Sequence, residues 1–187
     1  RPGAGPERRR RGVPALPRHR GHGLATLADS LAAVKRLVFE ERRVGYEELM
    51  AALDADFAGS EPLRQLLLNR APKYGNDDPY VDAIAAELVA WAADECLRHR
   101  TVDGGRFVAA MAANVSNIPA GREIGATPDG RRAGTPLSDA ASPHFGRDLK
   151  GPTAFLHSVA RPDYRRALAG SVINMKFEPE FLQGDAG

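Results

Sequence analysis

Between positions 121 and 134 the chain reads Gly121-Arg122-Glu123-Ile124-Gly125-Ala126-Thr127-Pro128-Asp129-Gly130-Arg131-Arg132-Ala133-Gly134. A second piece of the same texture follows, Ser142-Pro143-His144-Phe145-Gly146-Arg147-Asp148-Leu149-Lys150-Gly151-Pro152-Thr153-Ala154. Gly and Pro at this density, with few apolar side chains between them, cannot build a packed element. The stretch must be a long loop, and loops of that length inside a domain are functional or disordered. Order is the stronger reading, because Thr127-Pro128-Asp129-Gly130 puts proline at the second turn position, where its fixed φ fits, and glycine at the fourth.

Around this loop the chain has the makings of one ordinary core: 187 residues, 43% hydrophobic and 27% charged. Its most apolar run, residues 84–93, is too short for a membrane span and is interrupted by Glu87. No apolar core follows the positive N-terminus, so a secretory signal is not expected. One cysteine allows no internal disulfide, which fits a reducing cytoplasm.

The formal charge of +2 conceals a division. Residues 1–22 hold seven Arg and one Glu, a net of +6, which leaves the other 165 residues at −4. The high pI therefore belongs to the tail and is poor evidence for a nucleic-acid surface on the folded part. Residues 1–22 have almost nothing to bury and are expected to be disordered. Arg8 to Arg11 can be read as a polybasic contact for nucleic acid or a membrane surface, or the segment as a targeting peptide, against which Pro2, Pro6, Pro14 and Pro17 weigh. A third reading makes the tail foreign to the domain, since Arg, Gly, Pro and Ala are what GC-rich DNA yields in a wrong frame. The abrupt start of domain-like sequence near Gly23 favours the third, giving a basic tail over 1–22 and a domain over 23–187.

Leu24, Leu27, Leu31, Val34 and Val38 recur at helical spacing and predict an amphipathic helix ending near Arg43. Tyr46, Leu49, Met50, Leu53 and Phe57 predict a second, stopped by Gly59, and Ser60-Glu61-Pro62 starts a short third through Leu68. A fourth begins at Asp78-Pro79, with Val81, Ile84, Leu88 and Trp91 as its buried face. Residues 107–120, 153–159 and 171–177 read as extended, with a helical turn around 164–169. Helices followed by strands on long loops suggest an α/β arrangement whose strands need partners.

Several motifs, in order, resemble the C-terminal half of the pyruvate formate-lyase domain of glycyl radical enzymes. They are Lys73-Tyr74-Gly75-Asn76-Asp77-Asp78-Pro79, the stretch 125–134, Gly146-Arg147-Asp148 and Gly151-Pro152-Thr153-Ala154, and the resemblance runs from about Gly23 to Phe181. It implies an α/β fold: a fragment of a ten-stranded barrel, with outer helices and a few barrel strands. It also implies a lyase, formate acetyltransferase or dehydratase acting through thiyl-radical hydrogen abstraction on a small-molecule substrate. The radical would be installed on a glycine by a separate iron-sulfur, S-adenosylmethionine-dependent activating enzyme. The intact enzyme would be a cytoplasmic homo-oligomer of anaerobic metabolism, with no membrane or nucleic-acid partner.

The family's Gly-Cys-x-Glu and Arg-Val-x-Gly-Tyr motifs do not occur in these 187 residues. Cys96 follows Glu95 on the fourth helix and reads as a small hydrophobe. No catalytic, cofactor-binding or metal-ligating residue is therefore assigned, and the chain alone is expected to be inactive. Walker-type, dinucleotide and Gly-x-Ser-x-Gly motifs are absent, and only His19 and His22 stand at close spacing. Asp77 and Asp78 read as helix-capping residues. What remains is substrate wall. The resemblance makes the segment before the Thr-Pro-Asp-Gly turn a cavity-lining strand, and alternation puts Asn114, Ser116, Ile118 and Ala120 on one face. Arg131, Arg132 and Arg147 are expected to tie loops to carboxylates such as Asp129, Asp139 or Asp148. Two other readings stay open: a non-catalytic remnant or piece of a split enzyme, and an interaction protein using its basic tail.

Overall fold

The computed structural model describes residues 18–102, 104–113 and 115–177. Along the chain run β1 (Arg18–Gly21), α1 (Leu24–Ala33), α2 (Tyr46–Asp54), α3 (Glu61–Arg70), α4 (Pro79–Arg98), β2 (Val108–Met111), α5 (Asn117–Glu123) and α6 (Gly151–Val159). α1 continues without a break into a π-helical stretch, Val34–Glu40, ended by the Arg43 N–H on the Leu37 carbonyl at 2.8 Å.

The four expected helices form close to where their signals place them. α4 starts as anticipated, with the Asp78 carboxylate accepting from the Tyr80 N–H at 3.0 Å and Pro79 at the first helical position. Its buried face is different. Val81, Ala85, Val89 and Ala93 are buried, while Trp91 is 65% exposed. α4 packs on α1 through alanines from both sides, Ala85 against the face of Ala25, Ala28 and Ala32, and small residues let the two backbones approach where Trp91 would hold them apart. Phe155 and Val159 of α6, Tyr74, Met111 and Ala141 complete this core. A second core joins Leu37, Val44, Leu49, Ala52, Phe57, Leu63 and Leu67 beneath α2 and α3.

β1 and β2 pair in parallel, Arg18 opposite Val108 and Gly21 opposite Met111. Within the expected tail, then, residues 18–21 are part of the folded unit. A bridge from Met111 to Ser171 adds a third extended segment beside β2.

Of the expected strand over 107–120, residues 108–111 are extended, as β2, but its end is helical: residues 117–123 form α5. Residues 151–159, expected as the end of the loop and a strand, form α6, and in both helices a proline sits in the first turn, Pro119 and Pro152. There a missing N–H costs nothing, because the first amides of a helix have no intrahelical acceptor. Of residues 171–177 only Ser171 enters a bridge, and 164–166 form a single 3₁₀ turn.

Candidate functional site

The long loop is ordered by side chains rather than by backbone ladders. Its centre is a tight turn: the Gly130 N–H bonds to the Thr127 carbonyl at 2.9 Å, and the Thr127 N–H to the Arg131 carbonyl at 3.0 Å. The Asp129 carboxylate points inward, accepting from the Thr127 hydroxyl at 2.5 Å and the Arg131 N–H at 3.2 Å. Gly130 has φ +91°, and a Cβ there would lie 2.7 Å from Cγ of Leu68, so the position excludes any other residue both by conformation and by space.

Arg131, 2% exposed, supplies donors to carbonyls that have no ladder partner. Its Nη1 donates to the carbonyls of Thr135 at 2.7 Å, Arg132 at 3.0 Å and Gly121 at 3.4 Å. Its Nη2 donates to the carbonyls of Ile124 at 3.1 Å and Gly125. One planar guanidinium thus donates to five buried or half-buried carbonyls, that of Gly121 on α5 and four of the irregular segment that follows. Arg132 fixes the loop from outside, donating to the Asp56 carbonyl at 2.7 Å and pairing with Glu61 at 2.8 Å.

The separate motifs converge behind the turn. Arg147 pairs with Asp129 and lies 3.7 Å from Asp29 of α1. Asn76 bonds the Arg147 carbonyl at 2.7 Å and accepts from the Leu149 and Lys150 N–H groups at 2.8 and 3.1 Å. Gly75, at φ +100°, lets Pro143 approach so closely that a Cβ would meet it at 2.6 Å. Asp29 accepts from the Tyr74 N–H at 2.8 Å, and Lys73 Nζ donates to the Leu67 and Ala71 carbonyls at 2.7 and 3.1 Å. Burial pushes the Asp29 carboxyl up to about 7 against the pull of Lys73, and burial likewise brings Lys73 down to about 8. The expectation that the loop arginines tie to carboxylates is met by Arg147 with Asp129 and by Arg132 with Glu61, whereas Arg131 works on carbonyls.

In front of the turn lies an apolar recess of about 520 Å³, walled by Leu27, Leu31, Trp91, Ile124 and Pro128, with His22, Ser30 and Thr127 as polar members. Of the expected wall residues, Ser116, Ile118 and Ala120 do not line it. Asn114 lies outside the described residues. Ser116 is the N-cap residue of α5, its hydroxyl donating to the Ala113 carbonyl and standing 3.5 Å from His22 Nδ1. Ile118 and Ala120 follow on the helix itself, so helical periodicity replaces the expected alternation: Ser116 and Ala120 share a side, and Ile118, 41% exposed, faces the opposite way. Nothing in the sequence pointed to His22 or the α1 edge as recess wall. Leu27 and Leu31 are 49% and 42% exposed, and only their place on the helical stripe hinted that they would meet something apolar.

Cys96 stands on α4 beside a small cluster of Ala93, Ala109 and Ala167, away from the recess lining, and burial pushes its thiol up. A thiol whose ionised form is disfavoured in this way is a poor nucleophile. Among the described residues no group of three or more His, Cys, Asp or Glu side chains converges as a metal site would. Among them, too, no helix is long and apolar enough to cross a membrane.

A loop of this kind, locked by buried arginines onto an α/β scaffold, has counterparts of known lineage. The pyruvate formate lyase-like family matches residues 16–121, and the glycine radical family matches residues 137–187. The chain belongs to the pyruvate formate lyase-like family, the glycyl radical enzymes. It is 43% identical over 172 residues to the probable dehydratase YbiW of Escherichia coli and 44% identical over 167 residues to the isethionate sulfite-lyase of Bilophila wadsworthia. Each match takes in 88% of this chain but only 21% and 20% of those relatives. The glycerol-bound B12-independent glycerol dehydratase of Clostridium butyricum superposes with a TM-score of 0.85 at 41% identity, over 90% of this chain and 21% of that one. The chain therefore spans about a fifth of the length of these relatives. It is a fragment of the larger barrel fold, as the motifs implied, and the glycine radical match implies a protein radical in the whole.

Proposed function

We propose that these 187 residues belong to a glycyl radical enzyme of the dehydratase and lyase type, which eliminates a small group from a hydroxylated substrate, rather than to a formate acetyltransferase. The observation that carries this reading is the superposition on glycerol dehydratase at TM-score 0.85 and 41% identity. The relatives named for hydroxyproline dehydration and isethionate cleavage, at 38% and 44% identity, support it. On this reading the cysteine and glycine that carry the unpaired electron belong to parts of the enzyme outside these residues. A separate iron-sulfur, S-adenosylmethionine-dependent enzyme installs the radical, and the assembled enzyme works as a cytoplasmic homo-oligomer. The domain proper takes in β1 as its first strand and so begins a few residues before the expected Gly23.

The segment 114–120 is proposed as part of the substrate wall. Helical geometry divides its members, so either Ser116 with Ala120 or Ile118 faces the substrate, not all of them. The test is anaerobic activation of the full-length enzyme, followed by assays with glycerol, 1,2-propanediol, trans-4-hydroxyproline and isethionate, and with pyruvate plus coenzyme A. Turnover of one of the first four supports the proposal, and formate production from pyruvate alone overturns it. In the same enzyme, a rise in KM for Ser116→Ala or Ile118→Ala, but not both, identifies the wall.

A further inference from the structure

A second recess, of about 300 Å³, lies where the end of α3, the segment before α4 and the start of α6 meet. It shares no residue with the apolar recess. Five cationic side chains, Arg36, Arg70, Lys73, Arg147 and Lys150, line it against one carboxylate, Asp78. The neighbouring acids Glu41, Asp29 and Asp129 offset part of this excess, and Lys150 alone of the five makes no ion pair among the described residues. Glu41 is shared by three arginines, Arg36 at 3.0 Å and Arg43 and Arg70 at 3.4 Å each. Lys73 Nζ covers two of the carbonyls at the end of α3, those of Leu67 and Ala71, which would otherwise repel an anion.

Two helix starts border the recess and differ in one respect. α4 has its own negative charge at the N-cap, Asp78. α6, nine residues long, has Lys150 at the N-cap, no side-chain cap and no acid in its first turn. Its positive end is therefore left without the counter-charge that α4 carries, and basic side chains surround it.

We propose that this recess binds a phosphoryl dianion, either inorganic phosphate or the head of a small phosphate monoester, between Arg147, Lys150 and the start of α6. Arginine forks and a lysine point charge on one concave surface are the donor set that such an oxyanion takes. A volume of about 300 Å³ sits at the small end of the roughly 300–1,000 Å³ range of small-molecule sites. The site stands whether or not the enzyme proves to be a dehydratase, because none of its twelve lining residues lines the other recess.

Calorimetric titration of the full chain at low ionic strength tests it, with inorganic phosphate, glycerol 3-phosphate and acetate as separate probes. Saturable one-to-one binding of a phosphate probe, with acetate failing to compete, is expected. Tighter binding of the ester would assign the site to a metabolite, and equal binding would assign it to the free ion. Lys150→Gln and Arg70→Gln, both at exposed positions that leave the fold intact, should each weaken binding about tenfold, as the loss of one charge-assisted contact does. Arg122→Gln, outside the recess, should leave it unchanged. Phosphate should also slow amide exchange at residues 149–154 in the unmodified chain. The proposal is overturned if no phosphate probe saturates, if Lys150→Gln binds as the unmodified chain does, or if Arg122→Gln weakens binding as much as Lys150→Gln.

Discussion

The helical region formed by α1 to α4 and the loop region of residues 124–150 are held together by different physics. The helices bury Leu37, Leu49, Leu67, Val81 and Val89 in two apolar cores, where many small contacts add up and no single one is indispensable. The loop has few buried apolar side chains and depends on Arg131, Arg147, Asn76 and Asp129, each of which satisfies several backbone or charged groups at once. A region of the first kind loses stability in proportion to what is removed, whereas one of the second kind fails at a single residue.

The largest effect should therefore fall in the loop. Arg131→Met keeps the volume and removes donors from five carbonyls, and should cost about 4 kcal/mol, read as a fall in the urea midpoint, with Arg131→Lys recovering little because one ammonium cannot span the fork. A loss under about 1 kcal/mol would mean that water replaces the guanidinium and would erase the contrast. Leu67→Ala, fully buried in the helical core, should cost about 3 kcal/mol by the same measurement.

The third prediction concerns Asp29, where the two regions meet. Its carboxyl is held at about 7, above its ordinary value, so the folded state favours the protonated form. That contribution is complete below the ordinary carboxylate range and is lost as pH rises through about 7. Asp29→Asn should remove on the order of 2 kcal/mol of the decline in stability between pH 4 and 8, seen as a flatter plot of melting temperature against pH. Identical slopes would show that the carboxylate is ionised and fully paired with Arg147.

The smallest change is expected at Trp91, exposed at the rim of the apolar recess. Trp91→Ser should change the unfolding free energy by no more than about 0.5 kcal/mol while raising the concentration at which the chain aggregates, because an apolar patch is removed from the surface. If aggregation persists, light scattering of variants along the outer edge of β1 would locate its source instead, since among the described residues the sheet has two strands and its outer edges have no strand partner.

Much of the helical region was legible because its signals are local. Asp78-Pro79 marks a helix start in any context, and the stripe from Leu24 to Val38 marks one face. The Thr127-Pro128-Asp129-Gly130 turn was legible for the same reason. α5 and α6 were not, since Pro119 and Pro152 forbid helix at most positions and permit it at the first few, and only the finished element shows which position a residue holds. That is why Ser116, Ile118 and Ala120 were grouped by alternation although the chain turns there with a helical period. Trp91 misled in another way: size suggested burial, but the α1 contact selects alanine.

The sequence by itself determined the family, the four major helices and the existence of an ordered glycine-rich loop, because these rest on residues adjacent or one helical turn apart. Only the tertiary structure decided that Arg131 serves five carbonyls and that Arg147 reaches Asp129 and nears Asp29. It alone decided that five cations share one recess. Those partners are separated by tens of residues along the chain, and the desolvation that makes each contact strong exists only once the chain has closed around it.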